Sequence, residues 1–168
     1  MTEAELISAC IQNNRSAQRI VYDRYKRAMF TLAYRLTSDF DDANDVLQDA
    51  FLDVFRKLEN FRGDSTLGAW IKTIVVRKAY RKLEKPKIWD VVESFDENSL
   101  IEWGSSIDAE YLEKAILSLP EGFRTVFILI EIEGYTHRET AEILGISEGT
   151  SKSQLFYAKK RLREILTN

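Results

Sequence analysis

Apolar residues recur along the chain at helical spacing, the repeat of one helix face. Ile20, Tyr25 and Met29 run into Leu32 and Leu36, and Val46, Ala50, Val54 and Leu58 follow at four-residue spacing. No stretch alternates apolar and polar residues as a half-buried strand does, and no Asn-Gly or Asp-Gly pair marks a hairpin. Two prolines and seven glycines in 168 residues leave few breaks. The pattern predicts an all-α chain.

One break stands out. Pro86 cannot continue a helix, so the helix before it ends there. The following "WDVVESFDENSLIEWGSSID" mixes acids, Ser, Asn and Gly with isolated apolar residues, and helical spacing resumes near Asp108. This predicts two small helical domains, residues 1–85 and 109–168, joined by an acidic linker over 86–108. Trp89, Phe95 and Trp103 are more apolar than a plain solvent linker needs, which suggests segments that pin it against a domain or partner.

Charge is sorted along the same divisions. The net charge of −3 hides a segment of −5 from Ser38 to Glu59, one of +6 from Arg62 to Lys87, one of −8 from Asp90 to Glu113 and one of +3 from His137 to Arg163. Any single run reads most simply as a solvated face. The alternation suggests two nucleic-acid-facing modules joined by a segment that avoids or mimics nucleic acid. Within "WIKTIVVRKAYRKLEK" (70–85), Arg77, Lys78, Arg81, Lys82 and Lys85 fall within an arc of about 140° on a helical wheel. Val76, Ala79, Tyr80 and Leu83 lie opposite, so Tyr80 reads as a core residue.

The C-terminal stretch "THRETAEILGISEGTSKSQLFYAKKRLREIL" carries the strongest local signal. Thr136 and Glu139 form a capping-box start, Gly145 ends the first helix, and Ser147 is an N-cap candidate for a second. Helix, glycine turn and capped helix make the helix-turn-helix pattern. The second helix opens on Gly149, Thr150, Ser151, Lys152, Ser153 and Gln154. Small side chains let a helix enter the major groove, and Lys and Gln reach phosphates and base edges. Lys159, Lys160, Arg161 and Arg163 follow where the helix would leave the groove.

Several classes of chemistry find no residues to carry them. His137 is the only histidine and Cys10 the only cysteine, so neither a Cys/His metal cluster nor a Cys–His catalytic pair is available. His137 reads as a first-turn surface residue, and Cys10, within "LISACI", as a small core residue. One cysteine makes no internal disulfide, which suits a reducing cytoplasm. The first residues carry no basic, apolar leader, and no apolar run approaches the ~20 residues of a membrane span. The expectation is a cytoplasmic protein with no cofactor, no metal, no small-molecule substrate and no membrane insertion.

Two longer stretches carry a family resemblance. "DDANDVLQDAFLDVFRKLENFRGDSTLGAWIKTIVV" resembles region 2, and "LPEGFRTVFILIEIEGYTHRETAEILGISEGTSKSQL" resembles region 4, of the bacterial extracytoplasmic-function (ECF) sigma factors of the sigma-70 family. They occur in order and cover well over half the chain. The resemblance implies a non-enzymatic promoter-recognition subunit that binds core RNA polymerase, recognises the minus-35 and minus-10 elements of promoter DNA and helps open it. It also implies an anti-sigma factor as a further partner. Polymerase docking would fall on Asp45, Gln48, Asp49 and Phe51, with Leu52 as apolar anchorage beside them on a helix face. Minus-10 DNA would fall to Arg62, Ser65, Thr66 and Trp70 around the loop "FRGDSTLGAW", and to Arg77, Lys78, Arg81 and Lys82. Trp70 reads equally as a core residue. Minus-35 DNA would fall to Ser147, Thr150, Ser151, Lys152, Gln154, Lys159 and Arg161.

Some positions depart from the family pattern. Arg77 stands where the family usually has Asn, and an arginine there reads guanine or grips phosphate. Ser151 replaces a common Val of the inner packing, Gln154 a common Arg, and Phe156 and Tyr157 a commonly basic or His pair. A helix-turn-helix regulator acting without polymerase would explain the C-terminal motif but leaves residues 38–85 without a role. A helical enzyme lacks a His pair, a metal cluster and a glycine-rich phosphate loop.

Overall fold

A computed structural model describes residues 1–83 and 108–167, and those residues are helical throughout apart from turns. The chain divides into two compact units, Met1–Lys85 and Pro86–Asn168. The expected linker, with Trp89, Phe95 and Trp103, lies outside the described residues, as does Lys85.

The first unit holds α1 (Glu3–Ile11), α2 (Arg15–Thr37), α3 (Phe40–Lys57) and α4 (Leu67–Lys82). Each start is capped by a side chain: Thr2 in a capping box with Glu5, Asn14, Asp39 and Thr66. These oxygens accept from backbone N–H groups that the first turn leaves unbonded. Helices α2, α3 and α4 pack against one another, and α1 lies on α2. Val21, Leu32, Leu36, Val46, Val54 and Ile71 lead the core, and Cys10 is buried with it. Burying side chains of this size contributes about 1.5–3 kcal/mol each. Helix α4 approaches α2 closely because Gly68 has no side chain, since a Cβ there would stand 3.1 Å from the ring of Tyr25.

One buried charge joins α3 to α4. Asp53 is 8% exposed, and Lys78 reaches it across the helix interface at 2.9 Å. Arg56 and Lys57 approach the same carboxylate at 3.3 and 3.6 Å from its own helix. The hydrogen bond from Lys78, aided by the charges of Lys78, Lys57 and Arg56, holds the Asp53 carboxyl below its ordinary pKa against the opposing effect of burial. Nearer the surface Lys82 meets Asp45 at 3.4 Å.

The second unit holds α5 (Ala109–Leu117), α6 (Glu121–Phe127), α7 (His137–Leu144) and α8 (Glu148–Thr167). Helix α6 runs on into a π-helical turn, Ile128–Ile132. Helix α8 is central, packing on α5, α6 and α7. Ile116, Leu119, Val126, Ile128, Leu129 and Leu162 fill the core. Arg124 is buried and its Nη1 donates to the carbonyls of Leu117 and Leu119, closing the end of α5. The capping box of Thr136 and Glu139 is formed, with bonds of 3.0 and 3.1 Å. Gly145 takes φ 68°, and the Ile146 N–H then donates to the Ala141 carbonyl.

Two stability predictions follow from these contacts. Asp53→Asn and Lys78→Met each lower the urea-unfolding free energy of the first unit by about 1–3 kcal/mol, because each leaves a buried partner unmatched. Because the Asp53 pKa is lowered on folding, its contribution is complete above the unfolded value of about 3.9 and fades as pH falls through the lower folded value. The gap between the native protein and Asp53→Asn therefore closes in acid; a gap that widens refutes the assignment. In the second unit, Gly145→Ala costs about 1–2 kcal/mol, since an L-residue is strained at that φ. Gly149→Ala, in right-handed helix with 3.8 Å of clearance, costs nothing or gains about 0.5 kcal/mol by the same denaturation measurement.

Candidate polymerase and nucleic-acid interfaces

Asp45 and Asp49 of α3 lie toward solvent, Asp45 with Lys82 of α4 beside it. Asp45, Gln48, Asp49 and Leu52 are all exposed and share one face. Leu52 is 61% exposed, a large apolar side chain ringed by polar ones, the composition of a docking anchor. Phe51 differs from expectation. It is 3% exposed and packs edge-on to Tyr22, ring centroids 5.0 Å apart, with Phe55 at 6.1 Å. Leu47, Ala50, Phe51 and Val54 form the inner stripe of α3, so Phe51 shapes the helix from behind and offers a partner no surface.

Helix α4 divides the expected basic face in two. Arg77 and Arg81 are exposed, whereas Lys78 and Lys82 turn toward α3 and its carboxylates. Lys78 is therefore an interhelix tie and not an open DNA contact. The outward stripe of α4 runs through Trp70, Thr73, Ile74, Arg77 and Arg81 at helical spacing. Thr73 and Ile74 were absent from the residues picked out by charge, although their spacing from Arg77 gives them away. Trp70 is half-buried, its ring 5.4 Å from that of Phe61, so it pins the loop while keeping one side accessible. This satisfies part of each reading. Tyr80 is likewise half-buried, less enclosed than a core residue. In the loop, Arg62, Ser65 and Thr66 are exposed. The Thr66 hydroxyl accepts from the Ala69 N–H at 3.1 Å, and the Ser65 hydroxyl donates to the Thr66 carbonyl at 3.2 Å. An indole, an aliphatic side chain and two guanidinium groups in one row suit a strand whose bases are out of the duplex.

In the second unit the small polar residues at the start of α8 mostly build the motif. The Ser147 Oγ accepts from the Thr150 N–H at 3.0 Å and donates to the Thr150 hydroxyl at 2.9 Å. Ser151 is fully buried, and its hydroxyl lies 2.8 Å from Nδ1 of His137, tying the first turns of α7 and α8 together. His137 is thus half-buried in the motif instead of standing on the surface. Thr150 and Gln154 are buried too, so of the expected minus-35 residues Thr150, Ser151 and Gln154 present no open face to DNA. The cause is the width of the contact: α8 meets helices on three sides, which a single inner stripe of Leu155, Ala158 and Leu162 does not anticipate. Lys159 binds Glu131 of the π-helical turn at 2.6 Å. Arg161 is exposed.

The outward row of α8 is Gly149, Lys152, Phe156, Lys160 and Arg163. Phe156 and Tyr157 meet edge-on at 5.1 Å, Tyr157 stacks on Phe123 of α6 at 6.3 Å, and the Lys160 ammonium sits over the Tyr157 ring at 5.9 Å. Of the aromatic pair that departs from the family pattern, Tyr157 therefore anchors α8 to α6, and Phe156 packs edge-on beside it. Among the described residues no His, Cys, Asp and Glu grouping could hold a metal ion, and no helix is long and apolar enough to cross a membrane.

Comparison with known proteins places both units. Residues 21–98 match the family described as Sigma-70 region 2, and residues 109–162 match Sigma-70, region 4. The chain is 30% identical over 171 residues to the ECF RNA polymerase sigma factor SigM of Mycobacterium tuberculosis, an alignment covering 98% of this chain and 85% of that protein. It is 28% identical over 178 residues to the ECF RNA polymerase sigma-E factor of Escherichia coli, covering 96% and 93%. Among solved structures, the sigma factor RpoE in its complex with the anti-sigma factor NepR from Bartonella quintana superposes with a TM-score of 0.62 at 27% identity, covering 89% of this chain and 96% of that one. With region 2 and region 4 matched in order along one chain, the protein belongs to the sigma-70 family, among its ECF RNA polymerase sigma factors.

Proposed function

We infer that the protein is a promoter-recognition subunit: it binds core RNA polymerase, recognises the minus-10 and minus-35 elements and helps open the DNA to start transcription. The observation that carries this reading is the pairing, in one chain, of a region 2 unit with acidic and basic helix faces and a region 4 helix-turn-helix. The work is binding and strand separation, and no bond chemistry is assigned to any residue.

The roles follow the exposed faces. Polymerase docks on Asp45, Gln48, Asp49 and Leu52 of α3. Single-stranded minus-10 DNA lies along Trp70, Ile74, Arg77 and Arg81 of α4, with Arg62 and Ser65 in the loop before it. Guanidinium groups hold phosphate or guanine, and the half-exposed indole stacks on a base. Minus-35 duplex takes α8 in its major groove, with Lys152 and Phe156 toward base edges and Lys160, Arg161 and Arg163 toward phosphates. The two functional domains are residues 1–85 and 109–168, and 86–108 is the acidic linker. The protein works in the cytoplasm. An anti-sigma factor is a further partner, by likeness to the Bartonella quintana sigma factor solved with one.

Core-polymerase affinity and promoter binding separate these roles. Asp49→Ala combined with Leu52→Ala lowers affinity for core polymerase about tenfold or more, while binding of the purified chain to minus-35 duplex is unchanged. If association survives the double change, docking is not on this face. Lys152→Glu does the reverse: minus-35 binding falls about tenfold in a mobility-shift titration and polymerase association holds. A chain that binds duplex DNA and never associates with polymerase overturns the whole reading.

A further inference from the structure

Helix α2 is strongly basic, and neither polymerase docking nor promoter reading on α4 and α8 gives that charge a role. Between Arg15 and Thr37 it carries Arg15, Arg19, Arg24, Lys26, Arg27 and Arg35 against the single acid Asp23, a net +5 in a chain of net −3. The charge is not spread evenly. Asp23 pairs with Arg19 at 3.8 Å and with Lys26 at 2.9 Å, and the hydrogen bond from Lys26, aided by the charges of Lys26 and Arg19, holds its carboxyl below its ordinary pKa. Arg24 and Arg27 are exposed and form no ion pair among the described residues.

The two sides of α2 face different neighbours. Tyr22 meets Phe51 of α3, and Gln18, Arg19, Tyr22, Asp23 and Lys26 share a shallow groove with Phe55 of the same helix. The neutralised side therefore borders the acidic docking helix. At ~100° per residue, Ile20, Arg24, Arg27 and Thr31 fall within about 60° of one another, on the other flank. Tyr25, next to Arg24, touches Gly68 in the first turn of α4, two residues past Thr66 and the DNA loop. Helix α2 packs on α4, so the uncompensated arginines stand on the helix beside the promoter-facing one, with Arg24 about 100° around α2 from Tyr25.

We propose that Arg24 and Arg27 extend the DNA-binding surface of the first unit from the loop and α4 onto α2, gripping the phosphate backbone of promoter DNA without regard to sequence. The chemistry favours nucleic acid over other anionic partners. Guanidinium groups bind phosphate with two parallel hydrogen bonds. The stripe offers only Ile20 as an exposed apolar side chain, too little for insertion into a lipid surface, which needs a row of Trp, Phe or Leu. It has no exposed aromatic or Met side chain of the kind that fills a protein interface core. The inference rests on the sigma-factor reading of the chain.

The test is salt-dependent promoter binding by polymerase holoenzyme assembled with the full chain. Each phosphate contact contributes about one unit to the slope of log affinity against log salt. Arg24→Gln with Arg27→Gln flattens that slope by about two units, leaves the order of preference among promoter sequences intact and leaves core-polymerase affinity intact. Arg19→Gln with Lys26→Gln, on the neutralised side, leaves the slope unchanged. An unchanged slope in the first pair, or an equal change in both, overturns the proposal. A fall in polymerase affinity with the first pair also overturns it, by assigning the face to a protein. Because the contact is sequence-independent, the slope is readable on any duplex, so a holoenzyme without promoter preference refutes the function and not this contact.

Discussion

The buried carboxylate of Asp53 fixes the working geometry of the first unit. A carboxylate removed from water must find positive charge and hydrogen bonds or lose its ionised form. Its own helix offers Arg56 and Lys57, but both leave much of their length in solvent. Lys78 is the partner that reaches it from another element, at 2.9 Å. That requirement sets the rotation of α4 on α3. With Lys78 turned inward, Arg77 and Arg81 turn outward beside Trp70 and Ile74. A rotation by one residue, ~100°, would strand Asp53 and bury Arg77. The arginine face that α4 leaves exposed is therefore chosen by an acid on α3.

The second unit solves a comparable problem with hydroxyl groups. Its two helix starts stand side by side, each with backbone N–H groups to satisfy. Thr136 and Ser147 cap them, and His137 joins Ser151 across the gap. The family's common Val at the Ser151 position packs by shape alone. A serine in that buried place needs a hydrogen-bond partner, and His137 provides one. Small polar residues at the start of a recognition helix look available for base reading in sequence, yet here most are occupied in holding the helix. The side of α8 left open is the row from Gly149 and Lys152 to Arg163.

Much of this was legible in the chain itself. Helical spacing gave the all-α class, and the capping box, Gly145 and Ser147 gave the helix-turn-helix turn by turn, because each is a local rule acting over three or four residues. The acidic α3 and basic α4 were equally plain. What local rules cannot express is which charge already has a partner. Lys78 and Asp53 are 25 residues apart in sequence, and Lys82 and Asp45 are 37 apart, so their pairing exists only once the helices pack. Gln154 and Thr150 failed for a related reason: a helix surrounded by three others buries more than one stripe. Phe51 was nearer to reach, since it falls beside Leu47, Ala50 and Val54 on a wheel. The charge of α2 needed only a count over residues 15–37.

The two ion pairs between α3 and α4 differ in kind, and the difference matches what each helix does. Asp53–Lys78 is largely enclosed, so breaking it exposes a buried charge and is costly. Asp45–Lys82 spans 3.4 Å with side chains 63% and 41% exposed, and a pair so open to water contributes about 0–1 kcal/mol. In the proposed reading Asp45 belongs to the face that turns to polymerase and Lys82 to the helix that turns to DNA. A strong bond there would resist any partner that needed either group. A weak one yields to polymerase or to phosphate at little cost, while the enclosed pair farther along keeps the two helices in place.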